Sequence, residues 1–203
     1  MSDCFDPQTM RFYQSEAPIY TASGPDGASL HLPSFLDCLP AKASILELGC
    51  GGGRDAQYMI ARGFAVEPTD GVPAIAAKAS ERLGVTVRVM RFDELEASDK
   101  YDAVVASASL LHVPCKGLPD VLTRICEALK PGGWHLATYK TAQDEGRDEH
   151  GRYFNYLARD DAKASYAAAG EWESMMFEEH PGSGYRNAPA MWLKVIARKK
   201  AKS

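Results

Sequence analysis

The sequence has no apolar run near the ~20 residues that a membrane-spanning helix needs. It also lacks an excess of one charge. The 23 Lys and Arg stand against 27 Asp and Glu, a net charge of -4, which gives no field to gather a polyanion. The one basic cluster, Ala197 to Lys202, lies at the C-terminal end and reads as a solvated tail, so no nucleic acid is expected as a partner. Cysteine is scarce and scattered. The five, at positions 4, 38, 50, 115 and 126, are odd in number, form no C-x-x-C pair and show no Cys/His metal-ligand spacing, so reduced thiols and no bound metal are expected. Repeats and low-complexity stretches are missing too. The first ten residues, MSDCFDPQTM, are acidic where a secretory signal is basic and then apolar, which points to the cytoplasm. With 45% hydrophobic residues, 203 residues can bury one full core. A single domain over 1–203 is expected, with an N-terminal helical cap (1–40), a central core (41–140) and a closing segment (141–203).

What is present from Ser44 onward is an alternation of short β-branched runs with helical patterns, the signature of a parallel sheet with crossover helices. Strands are expected at 44–48 (SILEL), 64–69 (FAVEPT), 85–90 (VTVRVM), 101–107 (YDAVVAS) and 134–139 (WHLATY). Between them, Ala56, Met59 and Ile60 mark one inward helical face. Pro73 opens a helix with Ile75, Ala79 and Leu83 inward. A helix from Leu118 buries Val121, Leu122, Ile125 and Leu129 until KPGG ends it. The charged stretch 141–152 is a lid or a solvated loop. Asp160 and Gly170 bracket a further helix as N-cap and C-terminal stop. WESMMF (172–177) and MWLKVIAR (191–198), joined by the turn-rich HPGSGYRNAP, read as a closing antiparallel pair. Ahead of the first strand, Leu32, Phe35, Leu36 and Leu39 keep helical spacing. MRFYQSEAPIY (10–20) is a weaker helix whose aromatics, Phe12, Tyr13 and Tyr20, read either as packed core or as cover for a ligand.

The segment ILELGCGGGRDA (45–56) runs a buried strand into four glycines and then a helix. This is how a backbone is brought close to a ligand at the carboxyl edge of a parallel sheet. Glycines at 49, 51 and 53 remove the Cβ atoms that would block approach, and the helix start offers free N–H groups to an anion. Asp70, 21 residues after Gly49, falls at the tip of the second strand, where a carboxylate can accept both hydroxyls of a ribose. A nucleoside-bearing cofactor follows. The turn alone leaves its identity open, because Gly51, Gly53 and Ala56 also satisfy a loose dinucleotide pattern, G-x-G-x-x-A.

Beyond that turn the sequence resembles the class I S-adenosylmethionine-dependent methyltransferases. Their first motif, E/D-x-G-x-G-x-G, is matched by Glu47, Gly49, Gly51 and Gly53. RFDEL (91–95), YDAVVASASLLHVP (101–114) and ALKPGGWHL (128–136) follow in the family's order over about three-quarters of the chain. GCGGGRDA, SLLHVP, LKPGG and GRYFNY are also similar to the small tellurite-resistance-type subgroup. The resemblance implies an α/β Rossmann-like domain, with a seven-stranded, mostly parallel sheet, an antiparallel last strand and helices on both faces. It implies that Gly49, Cys50, Gly51, Gly53 and Arg54 line the methionine part of the cofactor. Asp70 and Gly71 would hold the ribose, Phe92 and Asp93 the adenine, and Ala106, Ser107 and Leu111 would flank the sulfonium. Val72 departs from the family, which commonly has a capping Ser there. The fourth-strand motif also lacks the D/N-P-P-Y of enzymes that methylate exocyclic amines of DNA bases.

Methyl transfer is displacement at an activated carbon, so positioning and exclusion of water do most of the catalysis. If the acceptor must lose a proton, His112 is the candidate base. Arg152 and Tyr153, after the charged stretch, are candidates to bind an anionic small-molecule acceptor, and Tyr13 and Tyr20 resemble the N-terminal aromatics that close over the cofactor in many members of the family. Two rival readings share much of the site: a protein that binds the cofactor without catalysis, and an NAD(P)-dependent reductase.

Overall fold

A computed structural model describes residues 4–23, 27–184 and 188–202. Helix α1 (Pro7–Ala22) comes first, then the short α2 (Leu32–Leu36). The core follows as β1 (Ser44–Leu48), α3 (Arg54–Ala61), β2 (Ala65–Asp70), α4 (Pro73–Leu83), β3 (Arg88–Val89), β4 (Tyr101–Ala106), α5 (Leu118–Ala128) and β5 (Leu129–Thr141). A small ribbon, β6 (Gly146–Arg147) with β7 (Tyr153–Phe154), precedes α6 (Arg159–Ala169) and the long pair β8 (Trp172–Ser183) and β9 (Pro189–Lys199).

The seven strands other than the ribbon form one sheet in the order β3-β2-β1-β4-β5-β9-β8. Strands β1 to β5 are parallel, and β9 runs against both neighbours. The chain leaves β1 toward one edge and returns at β4 beside it, so the carboxyl ends of β1 and β4 form the switch point where open α/β sheets bind ligands. The sheet is buried on both faces: Ile45, Leu46, Leu48, Val104 and Val105 are inaccessible. Helix α5 seals one face with Val121, Leu122 and Ile125, each fully buried, a contribution of about 1.5–3 kcal/mol per side chain. On α2, Leu32, Phe35 and Leu36 pack with Ile45, Val105 and Leu136.

Several elements differ from the sequence expectation for local reasons. Helix α3 turns Asp55, Ala56 and Met59 inward and leaves Ile60 36% exposed, because Asp55 is held by the Ser29 N–H at 2.7 Å. Strand β3 shrinks to two residues at the sheet edge, with Val85 and Val89 exposed while Val87 and Met90 bury. Helix α2 stops before Leu39, ahead of Pro40. KPGG lies inside β5 rather than after a helix, since α5 already ends at Ala128. Ala158, not Asp160, caps α6, which puts Asp160 and Asp161 in the first turn, where the helix dipole favours carboxylates. Gly170 ends α6 with φ 165, which any residue can adopt. HPGS joins β8, so the turn-rich link is shorter than its sequence predicts; positions 185–187 lie outside the described residues.

Candidate active site

Two adjoining clefts, of about 620 and 720 Å³, meet at the switch point and share Tyr20, Gly49, Gly51 and Ala108. Their common floor is the glycine turn. Gly49, Gly51 and Gly53 all have positive φ, at 73, 54 and 77. A Cβ on Gly49 would stand 2.6 Å from Ser109 Cβ, so β1 and the segment after β4 can approach this closely only at glycine.

Asp70 ends β2 on the wall of the first cleft. Its Oδ2 accepts the Gly51 N–H at 3.0 Å and its Oδ1 the Val72 N–H at 2.9 Å. These bonds aim the carboxylate and also start α4, whose N-cap Val72 has no side-chain bond to offer. Burial raises Asp70 to about 6, against the pull of the two N–H groups, so it is mainly ionised at neutral pH. In the second cleft Glu47 is buried beside Asp55 and Asp70. Desolvation and those two carboxylates push its pKa well above the usual range. Among the described residues, its Oε2 and Ser107 Oγ in the same cleft are buried without a hydrogen-bond partner.

Helix α1 roofs the first cleft with Thr9, Met10, Tyr13 and Tyr20. It begins at Asp6, whose carboxylate accepts the Thr9 N–H at 2.7 Å. The charged stretch 141–152, expected as a lid or a solvated loop, supplies β6 and the turn that leads into β7, and ties to that helix. Arg147 reaches Asp6 at 2.7 and 2.9 Å, and Tyr153 N–H donates to Thr9 Oγ1 at 2.8 Å. His112 sits between the two. Its Nδ1 is 2.6 Å from the Tyr153 carbonyl and its Nε2 is 2.9 Å from the Tyr13 hydroxyl. Burial lowers His112 to about 4, so the ring is neutral.

The residues singled out from sequence fall into two sets. Gly49, Gly51, Asp70, Gly71, Phe92, Tyr13, Tyr20 and His112 line the first cleft, and Cys50, Arg54 and Ser107 the second. The others stand behind the walls. Gly53 packs under Leu83, while Ala106 and Leu111 are core residues below the surface of the site. Asp93 turns to Arg91 Nε at 3.0 Å. Arg152, expected to face an anion, is 4% exposed and holds Asp148 at 2.6 and 2.9 Å, with Phe12, Tyr13 and Phe154 around its guanidinium. The Tyr153 side chain donates to Glu145, and only its carbonyl meets His112. Sequence reasoning missed Thr9, Asp55 and Ser109. Asp55 could have been found, as an acidic residue in the first turn after the glycines. All five cysteines are free, and among the described residues no three His, Cys, Asp or Glu are grouped to hold a metal. Among those residues no helix is long and apolar enough to cross a membrane.

An open α/β sheet with a glycine turn, an acidic β2 tip and one reversed strand defines the Rossmann-like class I methyltransferases. The family model described as a methyltransferase domain matches residues 27–181, and the chain belongs to that family. A ubiquinone biosynthesis O-methyltransferase of Xanthomonas oryzae is 31% identical over 156 residues, 66% of this chain and 64% of that protein. A protein named hemagglutinin 1, from Eikenella corrodens, is 24% identical over 70% of this chain and 48% of its own length, so the chain spans about half to two thirds of these curated relatives. The crystal structure of TehB from Haemophilus influenzae superposes with a TM-score of 0.73 at 17% identity, over 93% of this chain and 67% of that one. TehB of that species is also a sequence relative, 23% identical over 167 residues, in line with the tellurite-resistance-type resemblance.

Proposed function

We propose that this protein transfers the methyl group of S-adenosylmethionine to a small-molecule acceptor. The observation that carries the reading is Asp70, an ionised carboxylate at the β2 tip, oriented by two backbone N–H groups on the wall of the cleft. Each of its oxygens keeps a lone pair for a ribose hydroxyl. Phe92 supplies an apolar wall for an adenine ring in the same cleft. The second cleft fits an amino-acid head. The unpartnered Glu47 Oε2 and Ser107 Oγ match an ammonium, and the glycine-turn backbone and Arg54 match a carboxylate. When bound, S-adenosylmethionine supplies a methyl group already activated as a sulfonium.

The chain's own residues then position and shield. Helix α1, held down by the ribbon, covers the cleft, so acceptor and methyl meet away from bulk water. His112, neutral and reaching Tyr13, is the base available to a protic acceptor. Arg152 and Tyr153 act from behind, by holding Tyr13 and His112 in place. The test is thermal unfolding: S-adenosylhomocysteine should raise the melting temperature, while NAD and NADP should not. Stabilisation by NAD or NADP alone would make the protein a reductase instead.

A further inference from the structure

His31 and His180, 149 residues apart in sequence, meet between the start of α2 and the edge strand β8. Both rings are half-buried, with their Nε2 atoms 2.8 Å apart. The Pro181 carbonyl, 3.0 Å from His180 Nδ1, can only accept, so the His180 hydrogen is on Nδ1 and its Nε2 carries a lone pair. His31 donates to that lone pair from its own Nε2. Among the described residues His31 Nδ1 has no hydrogen-bond partner, so the hydrogen can sit on that atom instead.

The rings are closer than a straight hydrogen bond would hold them. Two imidazoles joined by a straight N–H···N bond of this length have ring centres about 5 Å apart, whereas these centres are 4.6 Å apart, with the planes at 74°. The ring axes therefore bend. Two imidazoles bound side by side to one ion, with metal–nitrogen bonds of about 2.0 Å at a right angle, place their nitrogens about 2.8 Å and their ring centres about 4.5 Å apart. Both spacings match the pair to about 0.1 Å. The His180 Nδ1–H bond to a carbonyl is the support that metal-ligating histidines commonly have. The charged side chains that act on His31, Lys194 and Glu178, are paired with each other, so they present no net charge to a cation.

We propose that His31 and His180 form a binding site for a borderline divalent transition-metal ion of the Ni2+, Cu2+ and Zn2+ class, held by the two Nε2 atoms. Among the described residues no third His, Cys, Asp or Glu joins them, so water fills the remaining positions. The ion takes the place of the hydrogen between the rings, and that hydrogen moves to His31 Nδ1, so the protein keeps all its protons. Imidazoles select such ions over Mg2+ and Ca2+, which take oxygen ligands. Neither histidine lines either cleft, so the site is separate from methyl transfer. Its effect is a clamp. Helix α2 packs on the sheet through Leu32, Phe35 and Leu36, and the ion ties its leading end to the edge strand.

Calorimetric titration of Ni2+ into tag-free full-length protein should show one ion bound per chain, with excess Mg2+ failing to compete. His31→Gln and His180→Gln should each weaken Ni2+ by about 100-fold, because the second imidazole binds as an intramolecular ligand. Ni2+ should raise the wild-type melting temperature and have no effect on either variant, since the two rings come together only in the folded chain. A readout on the unaltered protein is the NMR spectrum of its imidazoles: substoichiometric Ni2+ should broaden the signals of two of the five histidines, His31 and His180. No Ni2+ binding, an affinity unchanged in either variant, or broadening confined to other histidines overturns the proposal.

Discussion

Asp70 Oδ2 accepts the backbone N–H of Gly51 at 3.0 Å, which ties the tip of β2 to the glycine turn after β1. Through Oδ1 the same carboxylate starts α4. One side chain thus sets the shape of the turn and presents the acceptor atoms for a ribose. Asp70→Asn should lower S-adenosylhomocysteine affinity by about 10- to 100-fold, the scale of a charged hydrogen-bond pair, and leave a folded protein. The pH dependence has a definite sign. Because burial raises the folded-state value to about 6, the stability gained from protonation is present at low pH and lost as pH rises through about 6. The ligand needs the ionised form, so its affinity should climb over the same interval. Titrations from pH 5 to 8 should show that rise in wild type and a flat profile in Asp70→Asn.

Glu47 offers the opposite trade. Its carboxyl is buried among other carboxylates, with one oxygen lacking a partner, which costs the folded protein free energy. Glu47→Gln should leave the melting temperature equal or higher, yet weaken S-adenosylhomocysteine about tenfold by removing the carboxyl that its ammonium would ionise and pair with. A variant with lower stability and unchanged affinity would make Glu47 a structural residue.

The glycine turn predicts a contrast between two positions with similar backbone. Gly49 and Gly63 have φ of 73 and 85, but a Cβ at Gly49 would strike Ser109, while one at Gly63 meets nothing within 4 Å. Gly63→Ala should cost only the left-handed strain, about 1 kcal/mol in denaturant unfolding. Gly49→Ala should cost that strain plus overpacking, about 2–4 kcal/mol together. Equal losses would mean that Ser109 yields without cost.

How much of this was legible in sequence depends on the range of the interaction. The sheet strands, α4 and α5 follow periodicity and capping, which are local, and the cleft glycines and Asp70 follow from spacing along one βαβ unit. The polar ribbon was not legible, because its partners Asp6 and Thr9 lie more than a hundred residues away in sequence. Arg152 shows the same limit. A basic residue after an acidic run looks ready for an anion, but Asp148, four residues earlier, already binds it on the folded ribbon.

That placement changes what Arg152→Ala should do. Losing the guanidinium leaves the partly buried Asp148 with only its backbone N–H partners, so unfolding free energy should fall by about 1.5–3 kcal/mol. Acceptor KM should rise through the displaced Tyr13, while S-adenosylhomocysteine affinity holds. Unchanged stability together with unchanged KM would remove Arg152 from the network.

The most direct measurement is transfer of an isotopically labelled methyl group from S-adenosylmethionine, with purified protein and a panel of hydroxyl, amine, thiol and oxyanion acceptors. The account predicts label in a methylated small-molecule product, with the signal lost in Asp70→Ala. No transfer to any acceptor, from protein that binds S-adenosylhomocysteine, would contradict it and leave a cofactor-binding protein without catalysis.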